Sequence, residues 1–104
     1  MVWAELDPAI GREPSGRRPA VVVSSDAYNE SVASLVIVLP ITTTDRGWPH
    51  HVQLAGSDLA LRRTSFAITE QPRTIDRRRV VGGAGRVDPA TLDAIGRWLK
   101  DFIG

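Results

Sequence analysis

The chain has 104 residues, of which 42% are hydrophobic and 24% charged, with a formal net charge of +1 and no cysteine. This composition fits one globular domain over residues 1–104, and it excludes a disulfide framework and a thiolate metal site. No apolar run approaches the roughly 20 residues that cross a bilayer, and no basic-then-apolar signal segment opens the chain, so we expect a cytoplasmic protein with no membrane partner.

The first half of the chain predicts strands separated by two polar loops. Residues 2–6 alternate and predict a strand, whereas residues 7–17 hold two prolines and two glycines and predict a loop. Residues 19–24 and 31–39 are almost continuously apolar, which is typical of strands in a sheet that is covered on both faces. Residues 40–49 are expected to form the second loop.

The second half predicts shorter strands before one helix. Residues 51–54 and 64–69 predict strands, residues 76–79 a turn or short helical piece, and the glycine-rich residues 80–87 a strand with a bulge or bend. A helix is expected from Asp88 onward, with an apolar stripe at Leu92, Ile95, Leu99 and Phe102. This order favours a mainly β fold with α-structure, namely a small SH3-like β-barrel plus a C-terminal amphipathic helix.

The first loop concentrates charge at the entrance to a buried strand. It carries Arg12, Glu13, Arg17 and Arg18, and the proline after Arg18 keeps that residue extended. An arginine fixed at the mouth of a strand can stabilise charge on a phosphate group. A solvated pair of arginines beside a turn is the alternative interpretation.

The second loop begins with threonines and contains an aromatic side chain. Thr42 and Thr43 can donate hydrogen bonds to phosphate oxygens, and Trp48 can stack on a nucleobase. Ordinary strand-end threonines, and a tryptophan that packs the loop down, remain alternatives. His50 and His51 are adjacent, so on a strand their side chains would point to opposite faces, and we expect no metal site.

A third polar segment spans residues 70–76. Glu70 at a strand end can act as a general base, and Arg73 and Asp76 can equally form a structural ion pair. The arginines at 77–79 can follow a nucleic-acid backbone or form a solvated face.

Four motifs in register resemble the MazF/PemK family of toxins, and the likeness covers essentially the whole chain. The motifs are Val2-Trp-Ala-Glu-Leu-Asp-Pro8, Gly11-x-Glu13-x-x-Gly16-x-Arg18-Pro19, Pro40-Ile-Thr42-Thr43 with Gly47-Trp-Pro49, and Glu70-Gln71-Pro72-Arg73-Thr74-Ile75-Asp76. The resemblance implies a homodimer of SH3-like barrels that cuts single-stranded RNA without a metal ion or other cofactor. It also implies a cognate antitoxin, similar to MazE, whose acidic C-terminal tail neutralises the toxin.

The resemblance also implies roles for individual residues. The family's catalytic pair of arginine and threonine falls on Arg18 and Thr42, and the loop glutamate falls on Glu13. Substrate-binding positions are expected at Arg12, Arg17, Thr43, Trp48, Glu70, Gln71 and Arg73. Kid-like members place an Arg–Cys–Asp step where this chain has residues 68–70, Ile-Thr-Glu, so the Arg18 and Thr42 assignment is favoured.

Two alternatives from other functional classes remain. One is a family member without catalytic activity that acts as a decoy or regulator. The other is an inhibitor of a protein target on a similar fold, as in the gyrase poison CcdB.

Overall fold

The computed structural model describes residues 1–6 and 17–103, and within these ranges strands precede one long C-terminal helix. The strands are β1 (Val2–Glu5), β2 (Arg17–Val22), β3 (Leu35–Thr42), β4 (His51–Gln53), β5 (Gly56–Ser57), β6 (Phe66–Ile68), β7 (Arg73–Asp76), β8 (Val80–Gly83) and β9 (Arg86–Val87). The helices are α1 (Asp26–Ser31), a 3₁₀ turn (Arg77–Arg79) and α2 (Pro89–Ile103). No helix in these ranges is long and apolar enough to cross a membrane.

The larger sheet is antiparallel and follows the order β4-β6-β3-β2-β1-β8, with β7 also paired to β3. Strands β5 and β9 form a separate two-stranded sheet. The mainly β architecture with a C-terminal helix that the sequence predicts is therefore confirmed. The 3₁₀ turn also confirms the short helical piece expected near residue 76, with the Asp76 side chain accepting from the backbone N–H of Arg78.

Strand β3 is longer than the sequence predicts at its end and shorter at its start. It continues through Pro40 to Thr42, so the expected loop over residues 40–49 begins only after the threonine. On one side β3 pairs with β7 up to Val38 and with β6 from Ile41 onward. Pro40 lies in the gap between these two partners, so its missing N–H removes no hydrogen bond on that side of the strand.

Residues 26–31 form helix α1, which the sequence reading missed because it assigned a strand from residue 31. Ser25 caps the helix by accepting a hydrogen bond from the backbone N–H of Tyr28 at 3.1 Å. The hydroxyl of Ser24 donates to Asn29 Oδ1 at 2.6 Å and accepts from the backbone N–H of Ile37 at 3.1 Å. These local bonds stabilise a helical turn and delay β3 until Leu35.

The core occupies both faces of the central strands. Ala20 packs in one cluster with residues of β1, β3 and β7, while the next residue, Val21, packs in a second cluster against α2 and β6. Successive side chains of a strand point to opposite faces, so β2 is buried on both sides. This confirms the prediction that these apolar runs form doubly covered strands.

The glycine-rich segment bends as expected. The pairing of β1 with β8 shifts register between Trp3 and Ala4, and the strand structure is interrupted between β8 and β9. Gly85, at this interruption, has a φ of +105°, and a Cβ on it would lie 2.4 Å from the carbonyl oxygen of Asp58. Only glycine fits this combination of backbone angle and close approach.

The core covers a shorter part of helix α2 than the whole predicted apolar stripe. Ile95 is fully buried and Leu99 is half-buried against the second core cluster. Burying a side chain of this kind contributes about 1.5–3 kcal/mol. Leu92 and Phe102 lie on the same face, one turn before Ile95 and one turn after Leu99, but they are 40% and 49% exposed, so the apolar stripe extends beyond the part of the helix that the core covers.

Candidate active site

Arg18 and Thr42 meet on neighbouring strands. In the pairing of β2 with β3, Ala20 lies opposite Pro40, and the same register extended by two residues places Arg18 opposite Thr42. Strand β2 begins with Arg17 and Arg18, and the antiparallel strand β3 ends at Thr42. The two side chains assigned to the catalytic pair therefore lie at one end of the sheet and line the same groove.

The hydroxyl of Thr42 is oriented by its own loop. Its Oγ1 accepts a hydrogen bond from the backbone N–H of Thr44 at 3.1 Å. Because this bond uses only a lone pair of the oxygen, the hydroxyl hydrogen is still available to donate. The neighbouring Thr43 is exposed and also lines the groove. Thr42 can therefore donate to an anionic oxygen that lies above the end of β3.

The groove has a volume of about 850 Å³, which is enough for several groups of an extended polymer. It is lined by Trp3, Arg18 and the two threonines. The segment of residues 59–63, which we call the far wall, also lines it and contributes Arg62 and Arg63. Among the described residues that line the groove there is no carboxylate and no imidazole, so its charged groups are all guanidinium groups.

The sequence reading missed Arg62 and Arg63. Both are exposed and lie in an irregular segment between β5 and β6, without a motif to distinguish them from other surface arginines. The second half of the chain holds nine of the thirteen basic residues, and this surplus is the signal that could have drawn attention to them. Together with Arg18 they give the groove three cationic side chains that suit an anionic strand.

The structure does not bring every predicted site residue to the groove. Arg12 and Glu13 lie outside the described residues. Arg17 is exposed but does not line the groove, because adjacent side chains on β2 point to opposite faces. Gln71 is exposed in the turn between β6 and β7, and its backbone N–H donates to the carbonyl oxygen of Ile68 at 3.3 Å.

Glu70 lies away from the groove and is bound by both histidines. Its carboxylate oxygens lie 3.2 Å from His50 Nε2 and 3.2 Å from His51 Nε2. The inference that adjacent histidines must point apart is therefore wrong: His50 belongs to the turn before β4, where strand alternation does not apply, and only His51 lies in the strand. Burial acts to raise the pKa of Glu70, but hydrogen bonds from its backbone and from His51 outweigh it and lower that pKa.

Trp48 is 46% exposed and sits beside this histidine pair and outside the groove. Its ring stacks on His50 with centroids 5.5 Å apart, and the guanidinium of Arg46 lies 5.2 Å from its centroid. Trp48 thus presents a partly exposed aromatic ring with the positive charge of Arg46 beside it, which suits base stacking as well as packing of its own loop.

Arg73 and the arginines of the 3₁₀ turn have intramolecular partners. Arg73 donates to the carbonyl oxygen of Leu6 at 2.6 Å. The alternative of an ion pair between Arg73 and Asp76 is wrong, because residues three apart on a strand point to opposite faces. Asp76 pairs with Arg78 at 2.9 Å instead. Arg77 and Arg79 donate to backbone carbonyl oxygens of residues 29 and 5, which favours a structural role for this run.

Comparison with known proteins identifies the family of this chain. Residues 1–103 match the family described as PemK-like, MazF-like toxin of type II toxin–antitoxin system. The chain is 33% identical to the endoribonuclease toxin MazF of Escherichia coli, over 100% of this chain and 90% of that protein. It is similar to the crystal structure of MazF from Deinococcus radiodurans, with 30% identity, a TM-score of 0.77 and coverage of 99% and 91% of the two chains.

A second structural relative contains an antitoxin. It is an endoribonuclease in complex with its cognate antitoxin from a mycobacterial species, with 26% identity and a TM-score of 0.78. The match covers 99% of this chain and 89% of that chain. With the family match along nearly its whole length, the chain belongs to the PemK-like, MazF-like toxins of type II toxin–antitoxin systems.

Proposed function

We propose that the chain is an endoribonuclease toxin that cleaves single-stranded RNA in the groove between Arg18 and Thr42. The observation that carries this proposal is the placement of these two side chains across from each other at one end of β2 and β3. The relatives named as endoribonucleases support the same activity. The cytoplasm, where messenger RNA is present, is the compartment in which this activity operates.

The reaction uses the ribose hydroxyl of the substrate as the nucleophile. The 2′-oxygen attacks the adjacent phosphorus, the bond from phosphorus to the 5′-oxygen breaks, and the products are a 2′,3′-cyclic phosphate and a 5′-hydroxyl. The 2′-hydroxyl gives up its proton and the leaving 5′-oxygen takes one up. DNA is not cut because it lacks this hydroxyl. The enzyme's task is to align the attacking oxygen and to stabilise charge on the phosphate oxygens.

Each residue of the proposed site has one task. Arg18 stabilises the developing negative charge, since a guanidinium remains protonated and its planar fork suits phosphate oxygens. Thr42 donates its hydroxyl hydrogen to a phosphate oxygen, and Thr43 contacts the same strand. Glu13, which precedes β2 in the sequence, is the proposed base that accepts the 2′-hydroxyl proton. The far-wall arginines hold the phosphates that flank the cut bond.

The proposal includes two partners. One is a second copy of the chain, because the family resemblance implies a homodimer. The other is an antitoxin with an acidic C-terminal tail, whose charge is complementary to Arg18, Arg62 and Arg63 in the groove. The complex of a mycobacterial relative with its cognate antitoxin supports this second partner.

The direct test is to incubate the purified protein with single-stranded RNA in the presence of EDTA. We expect the RNA to be cleaved to products with 2′,3′-cyclic phosphate ends, while DNA of the same sequence stays intact. The Arg18→Ala protein, purified in parallel, is the control for contaminating nucleases. Cleavage that requires added Mg²⁺ would contradict the proposal, and absence of cleavage on varied RNA sequences would favour an inactive homologue or a protein-target inhibitor.

A further inference from the structure

Both histidines of the chain converge on one carboxylate. The sequence contains two histidines and no cysteine, and the fold brings His50 and His51 to Glu70, about twenty residues away along the chain. The three ligand atoms that these side chains offer lie within 4.8 Å of one another. None of the three residues lines the groove, so this cluster is separate from the proposed catalytic site.

The backbone holds the cluster in place. His51 is the first residue of β4 and pairs with Ile68 of β6, which brings the turn after β6 beside the turn before β4. The hydroxyl of Thr69, a fully buried residue, donates to the carbonyl oxygen of His50 at 2.6 Å and joins the two turns directly. Glu70 follows at once, so its side chain faces both imidazoles.

The distances fit a tetrahedral ion. Zinc binds imidazole nitrogen and carboxylate oxygen at about 2.0–2.2 Å, so neighbouring ligand atoms of a tetrahedral site lie about 3.3–3.6 Å apart. The distances from Glu70 to His50 Nε2 and to His51 Nε2 are both 3.2 Å. The three ligand atoms already lie within 4.8 Å of one another, so a small side-chain rotation brings the two imidazole nitrogens to the spacing of a tetrahedral site.

The surroundings of His51 leave its Nε2 as the ring nitrogen that faces Glu70. Its side chain is only 5% exposed, and its Nδ1 is buried without a hydrogen-bond partner in the described part of the chain. Its Nε2 is therefore the nitrogen with a polar contact, and it faces the carboxylate that His50 also reaches. The His50 and Glu70 side chains are 27% and 30% exposed, which leaves one side of the cluster open to solvent.

We propose that His50, His51 and Glu70 bind one divalent transition-metal ion of the zinc class, with a fourth coordination position open to water. Imidazole nitrogen with a single carboxylate favours Zn²⁺, Co²⁺, Ni²⁺ or Cu²⁺ over Mg²⁺ and Ca²⁺, which prefer oxygen ligands. The ion joins the turn before β4 to the turn after β6. It also fixes the ring on which Trp48 stacks, and it takes no part in RNA cleavage.

The test measures metal binding and does not depend on RNA cleavage. Tag-free protein is titrated with Co²⁺, whose visible absorption is intense only in a tetrahedral site, and then with Zn²⁺ by calorimetry. We expect one ion per chain, displacement of Co²⁺ by Zn²⁺, and no displacement by Mg²⁺ or Ca²⁺. Tryptophan fluorescence provides a second signal, because His50 lies between Trp48 and Trp98.

Variants decide whether these residues are the ligands. His50→Gln and Glu70→Gln change partly exposed side chains, and each is expected to weaken Zn²⁺ binding by more than about 100-fold while circular dichroism shows a folded chain. Glu30→Gln, at an exposed position of α1, is the matched control and should bind like the parent protein. Binding that survives in His50→Gln and Glu70→Gln, or a parent protein that binds no more Zn²⁺ than these variants, would overturn the proposal.

Discussion

Arg73 Nη2 donates a hydrogen bond of 2.6 Å to the carbonyl oxygen of Leu6, which joins strand β7 to the residue that follows β1. Leu6 is buried in the first core cluster. Arg73 was expected to bind substrate, whereas this bond uses its guanidinium to join two parts of the fold.

The Arg73→Met variant should lose stability. Removal of a charged donor from a buried carbonyl costs about 1–2 kcal/mol, so the free energy of unfolding in urea should fall by about that amount. The matched control is Arg79→Met, which removes a longer and exposed bond of 3.3 Å to the carbonyl oxygen of Glu5. If the two variants are equally stable, the bond to Leu6 has no special role.

The Arg18→Ala and Thr42→Ala variants should each reduce RNA cleavage while the protein stays folded. Removing one preorganised charge-stabilising group typically lowers the rate about 10²–10³-fold. The adjacent Arg17→Ala is the control, because its side chain does not line the groove, and a loss of less than about tenfold is expected there. The measurement is the initial cleavage rate of a labelled oligonucleotide, together with growth arrest in cells. Near-normal toxicity of Arg18→Ala would refute the assignment.

The Arg62→Ala and Arg63→Ala variants should weaken RNA binding in a salt-dependent way. Each phosphate contact contributes about 0.7 to the slope of log affinity against log salt for single strands, because counterions are released. Loss of one arginine should therefore lower the slope by about that amount. The measurement uses RNA with a 2′-deoxy sugar at the cut site. Arg97→Ala, on an exposed face of α2, is the control and should keep the parent slope.

The antitoxin tail and RNA should exclude each other from the groove. An acidic tail offers carboxylates to the same three arginines that face the RNA phosphates. A labelled uncleavable RNA is titrated against a peptide of the tail, and raising the salt should weaken RNA binding more steeply than tail binding. A ternary complex in which RNA affinity is unchanged would place the antitoxin elsewhere.

The pair of Asp76 and Arg78 should make stability depend on pH in the acid range. The hydrogen bonds from Arg78 lower the pKa of Asp76 from 3.8 to about 2. Because the folded pKa lies below the unfolded one, the contribution is complete above about pH 4 and is lost as the pH falls through the folded value. Urea unfolding of Asp76→Asn and the parent chain should differ at neutral pH and converge near the folded pKa. Arg78→Met should give the same profile, and a constant difference down to low pH would contradict this reading.

The sequence reading succeeded where local chemistry decides the structure. The proline after Arg18 keeps that residue extended, and Arg18 does lie at the start of β2, whereas Thr42, expected in the second loop, is the last residue of β3. The prediction failed where contacts between residues distant in the sequence decide the structure. Arg62 and Arg63 line the groove because backbone hydrogen bonds, such as that from Ala60 to Ala84, hold their segment in place. The sequence of residues 59–63 contains no pattern that predicts those hydrogen bonds.

The histidine pair shows a second kind of failure. Alternation along a strand was applied to both residues, but the residue before His51 lies in a turn, and the hydroxyl of Thr69 holds its carbonyl group. One residue of uncertainty at a strand boundary was enough to reverse the direction of a side chain. The exposed Phe102 has a similar cause, since the helical period predicts one apolar face but does not show how much of it the sheet covers.

Backbone hydrogen bonds and two leucine side chains, Leu59 and Leu61, hold the far wall against the rest of the fold. The N–H of Leu54 donates to the carbonyl oxygen of Ser65 at 2.9 Å, and the N–H of Ala60 donates to that of Ala84 at 3.0 Å. Arg62 and Arg63 are exposed and can change without disturbing the core, provided that the two leucines are kept, and each doubling of the segment's length costs only about 0.6 kcal/mol. Exchange of these exposed positions between relatives thus offers a route to toxins that cut different RNA sequences on an unchanged scaffold.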